Sequence, residues 1–583
     1  MLPDCASASA PPGGARRGST ALILMGIVLA ALALRVWALV ARRVIDFDET
    51  YYYILGRNLV TGAGYTLNGL PHTAFPPLYP LLVGIVSLFT ADVRLSTSLV
   101  SAVAGALLVI PVYFLAKDIH GRQAGLLAAS AAAVWGGLFF FAASNVRYAD
   151  RLYFGSEPLY VTLVASAMLF TWRFARAGGY PNAILAGGFA GLAALVRNEG
   201  PVVFAFLFLW LVIDKGLTRS LWRKRALPQT VLVAAVMLAV MSPFLIYVHN
   251  VTGRWTLGAK LTNNARIRNT LWTWVHNNNN ADFMLVHYQL NSDNTQMEDP
   301  YWGVSDWHRN EARKQGALAS GLGLIAKPDW KWLSVFTDIF WNVPKPLVPR
   351  YAWAIIIISL AVPPWNGARL RWWLFCLFNF LPMALLAVSL YALPRHELPL
   401  LVIFAVAFAR GLSAVTDFVR WAARSVRLGR ISAGAVSLVP TAAVLAVMCA
   451  SGVNLNRAGD VRGRDLSFLA QPHDAKLAAM LAAKLPPGST LMCNAPWIAL
   501  WSGMDWRVSP MAAPARLVEY ARAKHIDFAA LPTWRSQLDP SGAAVLTPYA
   551  MTDIRVNDDL VVYDLRRLWQ ETPRVAPAAP VSP

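Results

Sequence analysis

Residues 46–80 read DFDETYYYILGRNLVTGAGYTLNGLPHTAFPPLYP and follow directly on the first long apolar run of the chain, residues 19–40. Asp46, Asp48 and Glu49 therefore stand where a spanning helix would leave a bilayer. A charge in hydrocarbon is costly, ~2.5–3.5 kcal/mol for Asp at a helix centre, and persists where water, pairing or function compensates. At its far end the stretch passes through Pro76-Pro77 into residues 78–89, which are apolar but shorter than the roughly 17–25 residues a helix needs to cross. Whether that segment crosses decides on which side every later loop lies.

Composition sets the class. Of 583 residues, 56% are hydrophobic and 14% charged, with a mean hydropathy of +0.44, and several apolar runs are long enough to span the roughly 30 Å hydrocarbon layer. The net charge of +20 sits largely in short loops between apolar runs, which is how membrane orientation is encoded; nucleic-acid binding is the weaker reading. Cys376 and Cys449 lie in apolar runs, Cys5 in the N-terminal tail and Cys493 alone near the C-terminus, so neither a disulfide framework nor metal-ligand spacing emerges. No GxxxxGK[ST] loop is present, and His396-Glu397 does not continue into HExxH. The energy for any reaction then has to reside in a substrate.

If residues 78–89 do not cross, the later runs are 97–116, 124–143, 157–174, 182–196, 202–213, 230–248, 351–362, 372–391, 398–415 and 431–450. The basic connections at Lys117 and Arg122, Arg173 and Arg176, residues 215–225, Arg369 and Arg371, and residues 410–430 then all fall on the N-terminal side, as the positive-inside rule requires. Counting 78–89 as a span reverses every one of them. The expectation is an α-helical polytopic membrane protein of about eleven spans, with 78–89 in the interface or re-entering it. Residues 1–18 read as a disordered cytoplasmic lead-in to an uncleaved first span, a signal peptide being the alternative. Residues 19–453 make the membrane domain, with outer loops at 41–96 and 249–350.

The acidic and unusual polar residues thus gather outside. The long outer loop holds an asparagine run at 277–280, Trp302, Trp307, Trp330, Trp332 and Trp341, and a predicted helix over 306–327. Tryptophan there reads first as a headgroup belt and second as a platform for sugar. From residue 454 the composition turns soluble. Predicted helices at 474–485 and 514–524 alternate with strands at 490–493, 527–531 and 559–565, a small α/β extracytoplasmic domain over 454–570, and 571–583 is a disordered tail. No internal repeat is visible.

Several stretches carry a family resemblance, and they occur in the right order over roughly the first 410 residues. Phe47, Asp48, Glu49 and Tyr53 through Gly62 and Gly64 to Pro76, Pro77, Leu78 and Tyr79 resemble the first outer loop of the GT-C superfamily, in particular its protein O-mannosyltransferase and aminoarabinose transferase relatives, glycosyltransferase family 39. Residues 116–125 resemble a cytoplasmic turn of that family, and Ser156, Glu157 and Pro158 the opening of its fourth span. GLAALVRNEG, 191–200, is similar to its Gly-rich fifth span ending in Arg, and Pro394, Arg395, His396, Leu398 and Pro399 to its Arg-Tyr pattern before a late span. Two positions depart from the pattern: His396 stands where the family has Tyr, and His72 where the aminoarabinose transferases place a Lys before Pro-Pro.

The resemblance implies a GT-C fold and transfer of a sugar from a polyprenyl-phosphate donor to a protein, lipid or polysaccharide hydroxyl, on the outer face of a bacterial inner membrane. A hydroxyl is a poor nucleophile at neutral pH and needs a carboxylate within hydrogen-bond reach, and Asp48 is the expected base. The leaving phosphate gathers negative charge while the sugar becomes oxocarbenium-like, so cations belong at the phosphate and acids at the sugar. Arg395 is the first choice for the phosphate, with Arg197, Lys260 and His396 beside it. Glu49 and Glu157 are the second carboxylates, and His72, Tyr53 and Tyr79 are expected at the substrate. No cofactor is expected, and a divalent metal is left out.

Each assignment has a plainer counterpart. Asp48 and Glu49 also suit the start of a helix over 50–60, where acids gain ~0.3–1 kcal/mol from the helix dipole. Glu157 is equally a first-turn acid behind an N-cap at Ser156, and Arg197 equally a residue snorkelling to headgroups. At the level of the whole chain, the alternatives to an enzyme are a transporter or flippase of lipid-linked sugar and an inactive membrane scaffold.

Overall fold

The computed structural model describes residues 13–41, 45, 47–135, 155–218, 226–257, 288–315, 350–362, 366–389, 398–425, 439, 441–450, 472–532, 545–551, 554 and 560–570. Asp46, Lys260, Arg395, His396, the asparagine run, Trp330, Trp332, Trp341, residues 316–327 of the predicted 306–327 helix, residues 1–12 and residues 571–583 lie outside the described residues. Residues 13–18 of the expected lead-in are helical, and the first part of the 306–327 helix is α11 (Asp306–Gln315).

Every apolar run read from the sequence carries a helix. In chain order these are α1 (Gly13–Ala41), then, after a first-loop region, α4 (Val93–Leu107), α5 (Val109–His120), α6 (Arg122–Val134), α7 (Glu157–Ala177), α8 (Tyr180–Ala194), α9 (Gly200–Leu217), α10 (Ala226–Thr252), α12 (Arg350–Ala361), α13 (Gly367–Ser389), α14 (Leu400–Ser425) and α15 (Thr441–Ala450). Among the described residues, six stretches are long and apolar enough to cross a membrane, including Val93–His120, in which α4 and α5 meet at Leu108. The protein is an integral membrane protein. Most of the exposed large apolar residues among those described, such as Leu22, Leu29, Val231 and Leu238, lie on these helices, as lipid-facing residues should.

The first loop is built in three pieces. α2 (Phe47–Val60) begins earlier than the expected 50–60 helix and takes Asp48 and Glu49 into its first turn. A two-stranded hairpin follows, β1 (Thr66–Leu67) with β2 (Leu70–Pro71), closed by Asn68 (φ 56°) and Gly69 (φ 74°), the Asn-Gly pair that a tight hairpin turn favours. α3 (Leu78–Ser87) is the short apolar segment whose reading set the topology. It packs on α2 by direct backbone contact: a Cβ on Gly56 would lie 2.0 Å from the Pro80 carbonyl oxygen, and one on Gly84 2.3 Å from that of Gly56. Gly84→Ala should therefore force α2 and α3 apart and destabilise the protein by at least the ~1–3 kcal/mol typical of overpacking, read as a lowered thermal-unfolding midpoint in detergent.

The C-terminal sheet has the order β4-β3-β5-β6, with β3 (Thr490–Cys493), β4 (Asp505–Val508) and β5 (Phe528–Pro532) parallel and β6 (Leu560–Asp564) antiparallel at the edge. α16 (Pro472–Lys484), α17 (Pro496–Trp501), α18 (Pro514–Ala523) and α19 (Arg567–Gln570) accompany it. Strand β4 and the short helices α17 and α19 are additions to the sequence reading. β4, DWRV, is a short edge strand carrying charge, and α17 is too brief to show a helical period.

This sheet is docked on the first loop and on residues 288–291. The Val508 amide donates to Asn68 Oδ1 at 3.0 Å, Met511 donates to the Tyr288 carbonyl at 2.9 Å, and Arg516 donates to the Asn291 carbonyl at 3.0 Å. Trp302 corrects the headgroup-belt reading: it is 1% exposed and packs among Tyr51, Tyr288 and Trp506 at the seam. Lys524 also lies there, its Nζ donating to Gln296 Oε1 at 2.8 Å. Burial, with repulsion from Arg507, lowers its pKa from 10.5 to about 8. Between those values the unfolded chain binds more proton than the folded one, so this contribution raises stability as pH climbs from about 8 to 10.5. Thermal midpoints taken across that window should rise less steeply in Lys524→Met than in the wild type.

Candidate active site

Three helix starts supply the acids. Asp48 and Glu49 open α2, Glu157 opens α7, and Glu199 is the residue before α9. The positive ends of helix dipoles favour carboxylates there, which makes such a cluster less costly than its charge alone suggests.

Arg197 ties two of these acids together. It sits in the turn between α8 and α9, its Nη1 donating to Glu157 Oε1 at 2.7 Å and its Nη2 to Glu199 Oε1 at 3.1 Å. Burial opposes the charge, but Glu199 and Glu157 outweigh it and keep the guanidinium firmly protonated. Arg197, expected at the donor phosphate, is thus engaged by two carboxylates and points inward rather than snorkelling. Nη1 also donates to Ser156 Oγ at 3.3 Å, and that hydroxyl shares a 3.3 Å hydrogen bond with Tyr52. Ser156 accordingly does not cap α7, contrary to the plainer reading.

Tyr52 is the residue that sequence reasoning passes over. It is buried, and burial first, then the negative charges of Asp48 and Glu157, push its phenol pKa far up, so it stays a neutral hydrogen-bonding group. Asp48 and Tyr52 are four residues apart on α2 and share a face, the spacing that could have singled it out. Tyr301, from the segment that follows α10, feels the same charges: burial and then Asp48 raise its pKa. Of the three expected carboxylates, Asp48 is half-buried while Glu49 and Glu157 are closed off from solvent.

The remaining expected residues separate into two groups. Tyr79 joins the cluster: its hydroxyl donates to the Thr97 carbonyl at 3.0 Å, its ring meets Tyr52 at 4.9 Å, and Glu49 and Glu157 both lie within its electrostatic reach. Thr97 donates in turn to Glu49. Tyr53 turns away to the Ala91 carbonyl and the charges of Arg57 and Asp92. His72 is fully buried, its Nε2 accepting from the Phe75 amide at 3.0 Å and its ring set against Tyr65, Phe75 and Tyr301. It shapes the turn before Pro76.

That turn is braced by the 195–198 segment and by its own loop. Asn198 Nδ2 donates to the Ala74 carbonyl at 2.8 Å, the Leu78 amide donates to the Leu195 carbonyl at 2.9 Å, and Tyr65 donates to the Phe75 carbonyl at 2.9 Å. Segments 47–79, 156–157 and 195–200 therefore form one framework.

A family model described as dolichyl-phosphate-mannose-protein mannosyltransferase matches residues 74–247, the stretch that carries Glu157 and Arg197. Among solved structures, ArnT from Cupriavidus metallidurans bound to undecaprenyl phosphate superposes with a TM-score of 0.55 at 14% identity, over 94% of this chain and 98% of that one. The chain has the GT-C fold. The oligosaccharyltransferase of Archaeoglobus fulgidus tethered to an acceptor peptide follows the same GT-C path, with a TM-score of 0.53 at 14% identity over 90% of this chain and 70% of that one. The AglB oligosaccharyltransferase of the same organism, in complex with an inhibitory peptide and a dolichol-phosphate, gives 0.52 at 14% identity over 91% and 71%. At such identities the likeness concerns the GT-C fold. No curated protein matches the chain.

Proposed function

We propose that this protein is a glycosyltransferase that moves a sugar from a polyprenyl-phosphate donor to an acceptor hydroxyl at the extracytoplasmic face of a bacterial inner membrane, with inversion at the anomeric carbon. The observation that carries the reading is the meeting of Asp48, Glu157, Arg197 and Tyr52, from three separated segments, at the starts of helices in a GT-C fold. ArnT is bound to undecaprenyl phosphate and AglB to dolichol-phosphate, which supports a polyprenyl-phosphate carrier.

Asp48 accepts the proton of the acceptor hydroxyl as oxygen attacks the anomeric carbon and the C–O bond to phosphate breaks, the electron pair leaving with the phosphate. Half-burial suits it to meet an incoming hydroxyl. Glu157, oriented by Arg197, and Glu49, near Thr97 and Tyr79, face the sugar as positive charge develops there. Tyr52 and Tyr79, their hydroxyls held by Ser156 and by the Thr97 carbonyl, fix the shape of the wall behind the sugar, and Arg395, with Lys260 and His396, takes the phosphate. A transporter would hold its ionisable groups near the bilayer midplane on broken helices; acids gathered at helix starts support an enzyme.

The test is to incubate purified protein in nanodiscs with undecaprenyl phosphate carrying mannose, glucose, galactose or 4-amino-4-deoxy-arabinose, together with extracted envelope acceptors. Release of undecaprenyl phosphate with the sugar recovered on an acceptor, in the configuration opposite to the donor's, is expected. Donor that crosses the bilayer intact without cleavage would favour the transporter instead.

A further inference from the structure

Open α/β sheets with parallel strands bind ligands in the crevice at the carboxyl ends of those strands. Here the ends of β3 and β4 are turned toward the protein's own first loop. Val508, the last residue of β4, donates to Asn68, and Trp506 on the same strand meets Tyr51 with ring centroids 5.5 Å apart. α17, just beyond β3, lays Trp497 against Phe47 at 4.8 Å. Trp497 is 1% exposed, and its indole N–H is fixed by Asp474 Oδ2 at 2.8 Å. Phe47 is the first residue of α2 and the neighbour of Asp48. A helix's first turn has no preceding turn to donate to and is where fraying begins.

We propose that Trp497 is a positioning residue for the base: by packing on Phe47 it sets the rotation of the first turn of α2 and so the direction in which Asp48 presents its carboxylate. This rests on the reading of Asp48 as general base. It gives the C-terminal sheet a part in turnover, with the first loop filling the crevice where a ligand would otherwise bind. Orientation errors near 1 Å cost rates on the order of 10²-fold, so a ring contact beside the base is enough to matter.

The test uses the full chain in nanodiscs and whichever of the four undecaprenyl-phosphate sugars the wild type turns over. Trp497→Ala should lower kcat on the order of 10- to 100-fold while donor KM stays within about twofold, the pattern of a lost transition-state alignment. Trp497→Phe keeps a ring on Phe47 and should recover most of the rate. Once Phe47 is replaced by Leu, adding Trp497→Ala should cost little more, because the two act through one contact. Trp569→Phe, whose indole bonds the Ile526 carbonyl within the C-terminal domain, is the control and should stay at the wild-type rate. If Trp497→Ala does not fold, Trp497→Leu takes its place. A wild-type kcat in the Ala or Leu variant, or losses that multiply with those of Phe47→Leu, overturns the proposal. Wild-type turnover by Asp48→Asn would remove the base and this proposal together, whereas an inactive Asp48→Asn beside a fully active Trp497→Ala removes only this one.

Discussion

Asp48→Asn should reduce kcat by roughly 10²- to 10⁴-fold, the range contributed by a positioned general base, while donor KM and the thermal midpoint stay near wild type. The amide keeps the shape and the helix start but cannot take a proton. Asp48 lies in the first turn of α2, half-buried, with its charge felt by both Tyr52 and Tyr301. The two buried phenols stay neutral with or without that charge, so a loss of rate without a loss of stability is the informative combination. Initial rates of undecaprenyl phosphate release, set beside unfolding curves, read it out. Turnover within threefold of wild type would mean that another group takes the proton.

The second large effect is on stability. Arg197 is 6% exposed in its side chain, Glu157 3%, and they meet at 2.7 Å. Arg197→Met leaves Glu157 and Glu199 without their shared cation, and breaking one side of a buried pair costs roughly 3–5 kcal/mol. Arg197→Met should therefore unfold at a much lower temperature than wild type or fail to accumulate in membranes. Adding Glu157→Gln and Glu199→Gln should restore much of the loss, since a buried set replaced as a whole is often near neutral. Activity should not return with stability, because Glu157 no longer faces the sugar as an anion. Recovery of both together would make the ion pair a structural device alone.

Sequence spacing exposes part of this arrangement and hides the rest for identifiable reasons. Acids at span boundaries stand out because hydrocarbon penalises them, which is how Asp48, Glu49 and Glu157 become visible. The apolar runs mark the membrane helices because each is long enough to be read from composition alone. Arg197 is visible in VRNEG, but its partners depend on a turn that brings residue 199 back beside residue 157, and nothing local encodes that meeting. Tyr52 is masked by its neighbours in the run Tyr51-Tyr52-Tyr53 until the helix is phased from Asp48. The 68–69 hairpin is signalled by its Asn-Gly pair and is legible in principle. Trp302 belies its usual meaning because its burial depends on a domain contributed from the far end of the chain.

The bracing of the Pro76-Pro77 turn bears on how such proteins can be recombined. Asn198 and Leu195 hold residues 74 and 78 through side-chain and backbone bonds that cross from the fifth apolar run to the first loop. A chimera that imports a foreign first loop without its matching 195–200 segment would strand a buried amide on one parent's half and a carbonyl on the other's. Exchange of donor preference between relatives should accordingly succeed with both segments grafted as one cassette.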